Sequence, residues 1–144
     1  MNLVDANVLL YAVNQADPKH EASRRWLDAA LSGQEPVGFA WTVLLAFVRL
    51  STKVALFPRP LSIDGAVATV RTWLDQPAGV IVEPTPRHQE LFDGLLNDVG
   101  TGANLVTDAH LAALSVEHNG AVISYDSDFG RFRGVRWRQP SSAA

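Results

Sequence analysis

Short apolar runs that alternate with helix-patterned stretches constrain this chain more than any other feature. Asn2 to Val4, Val37 to Phe39, GVIVEP from Gly79, AVISYD from Ala121 and VRWR from Val135 are too short for anything but strands. Helical patterns separate the first four. His20 to Leu31 is amphipathic, with Ala22, Trp26, Leu27, Ala30 and Leu31 inward, and Asp17-Pro18 marks its start. A strongly apolar helix runs from an N-cap at Thr42 to about Lys53, Ser62 caps another to about Leu74, and Arg87 to Leu96 is a third. NDVGTGAN is a Gly-rich loop, and NLVTDAHLAALSVEHNG is a helix closed by a left-handed cap at Asn119-Gly120. Strands joined through helices cannot form hairpins. They pair in parallel, in an α/β fold whose mostly parallel central sheet is covered by helices on both faces.

Such a sheet gathers the carboxyl ends of its strands on one edge, where ligands bind. Asp5 stands where the first strand stops, and Asp126 stands at the same point after AVISY. Asp128 follows two residues later in YDSDFGRF, and Asp108 opens the helix that feeds that strand. Carboxylates brought together repel, by roughly 3 kcal/mol for a pair ~5 Å apart at an effective dielectric near 20. A shared cation or a retained proton relieves this. Hard oxygen donors suit magnesium or manganese, which engage phosphates and can activate water against a phosphodiester. Each acid also has a plain structural reading. Asp5 can cap the helix that starts at Ala6, Asp108 can favour a helix dipole, and Asp126 and Asp128 can shape a turn.

With 144 residues the chain is expected to form one domain, 1–144, large enough to bury about 70% of its unfolded surface. No apolar run reaches the ~20 residues of a membrane span. The start lacks the basic region of a signal peptide, and with no cysteine there are no disulfides or thiolate metal sites, so a cytoplasmic address is expected. The net charge of −3 does not advertise nucleic-acid binding, but Arg131, Arg133, Arg136 and Arg138 cluster near the C-terminus. They are phosphate contacts or the solvated side of an edge strand. None of the four histidines is expected to bind metal; His110 points ~160° away from Asp108 around a helix.

MNLVDANVLLYA, TDAHLAALSVEHNGAVISYDSDFGRF, AWTVLLAFVRL and VRWRQP together resemble the PIN-domain ribonucleases, and among them the VapC toxins of type II toxin–antitoxin systems. The resemblance spans essentially the whole chain. It implies an α/β/α sandwich and a Mg2+- or Mn2+-dependent endoribonuclease that uses water to leave a 5′-phosphate and a 3′-hydroxyl. It also implies a homodimer and a cognate antitoxin that blocks the site and represses the shared operon. Asp5, Asp108 and Asp126 match the family's metal-binding acids, and Asp128 a less constant fourth. Asn7 matches a residue that steadies the first Asp, and Ser124 a hydroxyl beside the metal. One position departs: Phe47 occupies the place of a usual Glu, two residues before Arg49. That leaves the number of metal ions open. It also admits a second reading, a weak or inactive PIN-like module that binds RNA or a protein. Trp41, Leu44, Phe47 and Val48 are the expected lining of a groove for an amphipathic antitoxin segment. A receiver domain is excluded by the single Asp5 and by lysines only at positions 19 and 53; a haloacid-dehalogenase-like phosphatase is excluded because DAN lacks its second Asp.

Overall fold

The structure, a computed structural model, describes residues 1–100 and 105–140. Five short strands, β1 (Asn2–Val4), β2 (Val37–Phe39), β3 (Gly79–Ile81), β4 (Ala121–Ile123) and β5 (Trp137–Arg138), form one all-parallel sheet in the order β3-β2-β1-β4-β5. Six helices connect and cover it: α1 (Ala6–Val13), α2 (His20–Leu31), α3 (Trp41–Ser51), α4 (Ile63–Asp75), α5 (His88–Val99) and α6 (Val106–Glu117). Helix α1 packs on α2 and α3, and α3 on α4; α5 packs on α6, which lies against β1 and β4. The expected parallel α/β architecture is therefore present. The chain adds β2 and β3 on one side of β1, then returns to place β4 on the other. The boundary between β1 and β4 is the topological switch point, where the crossovers part and leave a crevice.

The core explains the element choices. Leu3, Val4, Val37, Phe39, Val122 and Ile123 are all buried, as strands covered on both faces require. Helix α6 buries Ala109, Leu111, Ala112, Ala113 and Leu114 around nearly its whole girth. Its polar ends, rather than an exposed stripe, show where it stops. Asn119 takes the left-handed conformation (φ 53°) just beyond it. Gly120 is needed for a different reason: a Cβ there would meet the carbonyl oxygen of Met1 at 2.8 Å.

Several expectations shift. Ser62 caps α4 through Gly65 as expected, but Thr42 does not cap α3. Helix α3 follows directly from β2, so the extended Ala40 is its cap residue and offers no side chain to it. Helix α5 runs three residues past Leu96 and ends at Gly100 in the left-handed conformation (φ 69°). The rest of the expected Gly-rich loop, positions 101 to 104, lies outside the described residues. The expected groove lining also needs correction. Phe47 and Leu44 are 0% and 1% exposed, and Phe47 packs edge-on against Trp73 with ring centroids 4.8 Å apart. A helical face pressed on α1 and α4 must be apolar, so these residues are core. Val48 is partly buried against the same core, while Trp41 and Leu45 turn outward. Among the described residues, no helix is long and apolar enough to cross a membrane.

Candidate metal centre and its surroundings

Asp5 is both a cap and a site residue. Its Oδ1 accepts the backbone N–H of Ala6 at 2.7 Å, which closes the first turn of α1. Its Oδ2 accepts the hydroxyl of Ser124 at 2.7 Å, across the β1–β4 boundary. Asn7 is the second residue of α1 and ties the two strands together. Its Nδ2 donates to Ser124 Oγ at 3.0 Å and more weakly to Asp5 Oδ2 at 3.4 Å, and its Oδ1 accepts the N–H of Tyr125 at 3.2 Å. The fully buried Ser124 also accepts the N–H of Asp126 at 2.9 Å. A hydroxyl is required at that position because it donates once and accepts twice, which neither Ala nor a carboxylate could do.

Asp126 likewise keeps its turn-forming role. It accepts the N–H of Asp128 at 2.9 Å and so starts a 3-10 turn over Ser127–Arg131. That turn swings Asp128 back beside Asp126, while Asp108 projects from the first turn of α6. Carboxylate oxygens of Asp108, Asp126 and Asp128 all lie within 4.8 Å of one another. Asp5 stands next to this trio, held by its cap and by Ser124. The electrostatics record the crowding. Burial, then the charges of Asp5, Asp126 and Asp128, push Asp108 up to about 7. Burial also raises Asp5, against the hydrogen bonds from Ser124 and Ala6, and Asp126 adds to the rise. A set of hard oxygen donors that resists its own ionisation is suited to a divalent cation.

The arginines divide. Arg131 lies 3.8 Å from Asp128, at the acidic edge. Arg133 stands beside α5 and α6, near Glu90 and Asp98. Arg136 donates to the carbonyl of Asn119 at 2.8 Å, and Arg138 to Asn2 Oδ1 at 2.7 Å. Asn119 and Asn2 mark the amino ends of β4 and β1, so these two arginines are not brought to the acidic edge.

A second polar cluster was not singled out from sequence. Glu117 accepts from Thr85 and from His88 Nδ1, and His88 Nε2 lies 2.9 Å from Nδ1 of His110. Burial opposes the charge of Glu117, but these hydrogen bonds outweigh it and hold its pKa below the usual range. Burial, then the neighbouring His88, lowers His110. The contributors come from two helices and the loop before α5, with no regular spacing; the seven-residue interval from His110 to Glu117 on α6 is the one local signal. The remaining histidines are structural. Nδ1 of His20 binds the carbonyl of Tyr11, and Nε2 of His118 that of Glu83.

Residues 3–135 match the PIN domain family. The chain is 63% identical over 140 residues to Ribonuclease VapC37 of Mycobacterium tuberculosis, with 97% of each sequence covered. It is 36% identical over 140 residues to Ribonuclease VapC33 of the same species, covering 97% of this chain and 98% of that one. Among solved structures it resembles the VapBC2 complex of Rickettsia felis bound to promoter DNA, with a TM-score of 0.70 at 14% identity, covering 96% and 97% of the two chains. It also resembles VapC20 of Mycobacterium tuberculosis, described as a sarcin-ricin-loop-cleaving toxin, with a TM-score of 0.66 at 21% identity over 94% and 99%. At those identities the structural matches speak for the fold.

Proposed function

The chain belongs to the PIN-domain family, among its VapC ribonucleases, and from that membership we propose that it is the endoribonuclease toxin of a type II toxin–antitoxin system. The observation that carries the reading is the carboxylate cluster at the β1–β4 switch point, where the fold leaves a crevice for substrate. Asp108, Asp126 and Asp128, with Asp5 beside them, would hold Mg2+ or Mn2+. When bound, such an ion supplies water of lowered pKa and a positive clamp on the scissile phosphate. The protein's own groups prepare the place. Ser124 and Asn7 fix the Asp5 carboxylate between two strands, so that it cannot turn away from the repulsion. Raised to about 7, Asp108 holds its proton on the acid side of neutrality, and a bound cation would favour its ionised form. Arg131 offers a cation at the edge of the cluster for a flanking phosphate. Hydrolysis in this sense leaves a 5′-phosphate and a 3′-hydroxyl.

The partners follow from the same premise. A cognate antitoxin would cover the acidic edge and lay an apolar stripe over the outward faces of Trp41 and Leu45. A homodimer, a single folded unit over 1–144 and a cytoplasmic site of action complete the proposal. Burial of Phe47 favours a second reading, a weakened nuclease that chiefly binds RNA or protein, because no carboxylate occupies that position. One experiment separates them. Purified chain is incubated with RNA in Mg2+, in Mn2+ and in EDTA, beside Asp108→Asn. Metal-dependent cleavage that falls at least a hundredfold in the variant is expected; equal cleavage by both proteins would refute the catalytic assignment.

A further inference from the structure

The Glu117 side chain is buried apart from the acidic edge, and both of its carboxylate oxygens are hydrogen-bonded. Its Oε1 accepts the N–H of Thr85 at 2.7 Å and the Thr85 hydroxyl at 2.6 Å, and its Oε2 accepts Nδ1 of His88. An ionised carboxylate only accepts, so Nδ1 of His88 carries a hydrogen. Where Nδ1 carries the only ring hydrogen of His88, its Nε2 is an acceptor, and the hydrogen in its 2.9 Å bond to His110 belongs to Nδ1 of His110. Nε2 of His110 is left with a lone pair and has no hydrogen-bond partner among the described residues. The two imidazoles meet edge to face at 4.7 Å, and Phe92, one turn along α5, lies nearly parallel to His88 at 6.1 Å.

His110 opens onto a depression of about 310 Å3 that it shares with Thr42, His88, Phe92, Val106 and Thr107. Thr42 is near the start of α3, His88 is the first residue of α5, and Thr107 directly precedes Asp108. The depression therefore lies at the carboxyl edge of the sheet, across the first turn of α6 from the acidic cluster. Its walls are mostly rings and methyl groups, with the hydroxyl-bearing Thr42 and Thr107 and one ring nitrogen of His110 as polar groups. No Lys or Arg lines it, and a phosphate, which has no flat apolar face, would leave the rings uncovered. An unstacked nucleobase has a flat face for the rings and N–H groups on its edge.

We propose that this depression is a base-recognition subsite, in which the Glu117–His88 pair fixes the Nδ1–H tautomer of His110 so that its Nε2 accepts an N–H from an RNA base near the scissile phosphate. The subsite rests on the ribonuclease reading for the strand that presents the base; its tautomer and its ligand can be tested without cleavage.

Two measurements on the full chain test it. In the first, nitrogen-15 NMR at neutral pH reads the imidazoles of wild type and of Glu117→Gln, alone and with short single-stranded oligomers of A, C, G or U. Wild-type His110 should show a protonated Nδ1 and a bare Nε2, the variant should lose that pattern, and at least one oligomer should shift the Nε2 resonance. A protonated Nε2, or no response to any of the four, would overturn the subsite while leaving the nuclease untouched. In the second, a random-sequence RNA pool is cleaved and the new ends are sequenced. Wild type should favour particular bases at one position beside the cut, and His110→Phe should reduce that preference at least tenfold. If His110→Phe does not fold, His110→Gln replaces it. An unchanged preference in the folded variant overturns the proposal; absence of cleavage by wild type overturns the ribonuclease reading and leaves the NMR result to decide the subsite.

Discussion

Asp108 ties stability to the proposed metal site through a single proton. Burial and its acidic neighbours hold its folded-state pKa near 7, above the ordinary 3.8. Between those values the folded chain binds a proton that the unfolded chain has lost, so this group's contribution falls as pH rises through that window and is least favourable above 7. Metal-free Asp108→Asn should therefore have the higher Tm at pH 7.5 and little advantage at pH 4.5, as calorimetry at both pH values would show. Magnesium should raise the wild-type Tm most at pH 7.5, by mass action on the folded state, and should raise that of the variant much less. Asp5 differs because it serves two roles. Asp5→Asn can keep the Ala6 cap but not the bond from Ser124, whose acceptor positions Asn7 and Asp126 already occupy. It should abolish cleavage and cost about 1 kcal/mol in urea unfolding, whereas Asp5→Ala, which loses both bonds, should cost about 1–3 kcal/mol.

At the scale of elements, α3 is the part whose reading changed most. Phe47 is a core residue against Trp73, so Phe47→Ala should cost about 3–5 kcal/mol by cavity formation. Phe47→Glu should unfold the chain under conditions where wild type is folded, as circular dichroism would report. The sequence showed the strand–helix alternation and the acids at two strand ends, because each depends on residues within one or two turns of each other. It did not show which apolar residues of AWTVLLAFVRL face inward. With apolar side chains nearly all round the helix, only the packing on α1 and α4 distinguishes Leu44 and Phe47 from Trp41 and Leu45. The arginines separate for a similar reason. Spacing placed them near one another in sequence, while the turn at Gly134 (φ 79°) and the course of β5 sent Arg136 and Arg138 toward the amino ends of the strands. The Glu117–His88–His110 chain, assembled from two helices, left almost no local trace.

For the whole molecule, the charge layout predicts where nucleic acid runs. Arg131→Ala should flatten the salt dependence of single-stranded RNA binding by a slope of about 0.7, the loss of one phosphate contact, while Arg136→Ala should leave that slope unchanged. Filter binding over a salt series would tell the two apart. The hydrogen bond between Asp5 and Ser124 spans 119 residues of chain, and the strand that brings Ser124 is the fourth of five. During synthesis at roughly 5–20 residues per second, on the order of ten seconds separate the emergence of these two partners. Until then β1 has no neighbour on its β4 side and the four carboxylates are not assembled. Under the ribonuclease proposal, a nascent chain therefore cannot cut RNA for most of its elongation. The proposed activity would begin only near termination, and a partner protein already present has that interval to meet the chain as it folds.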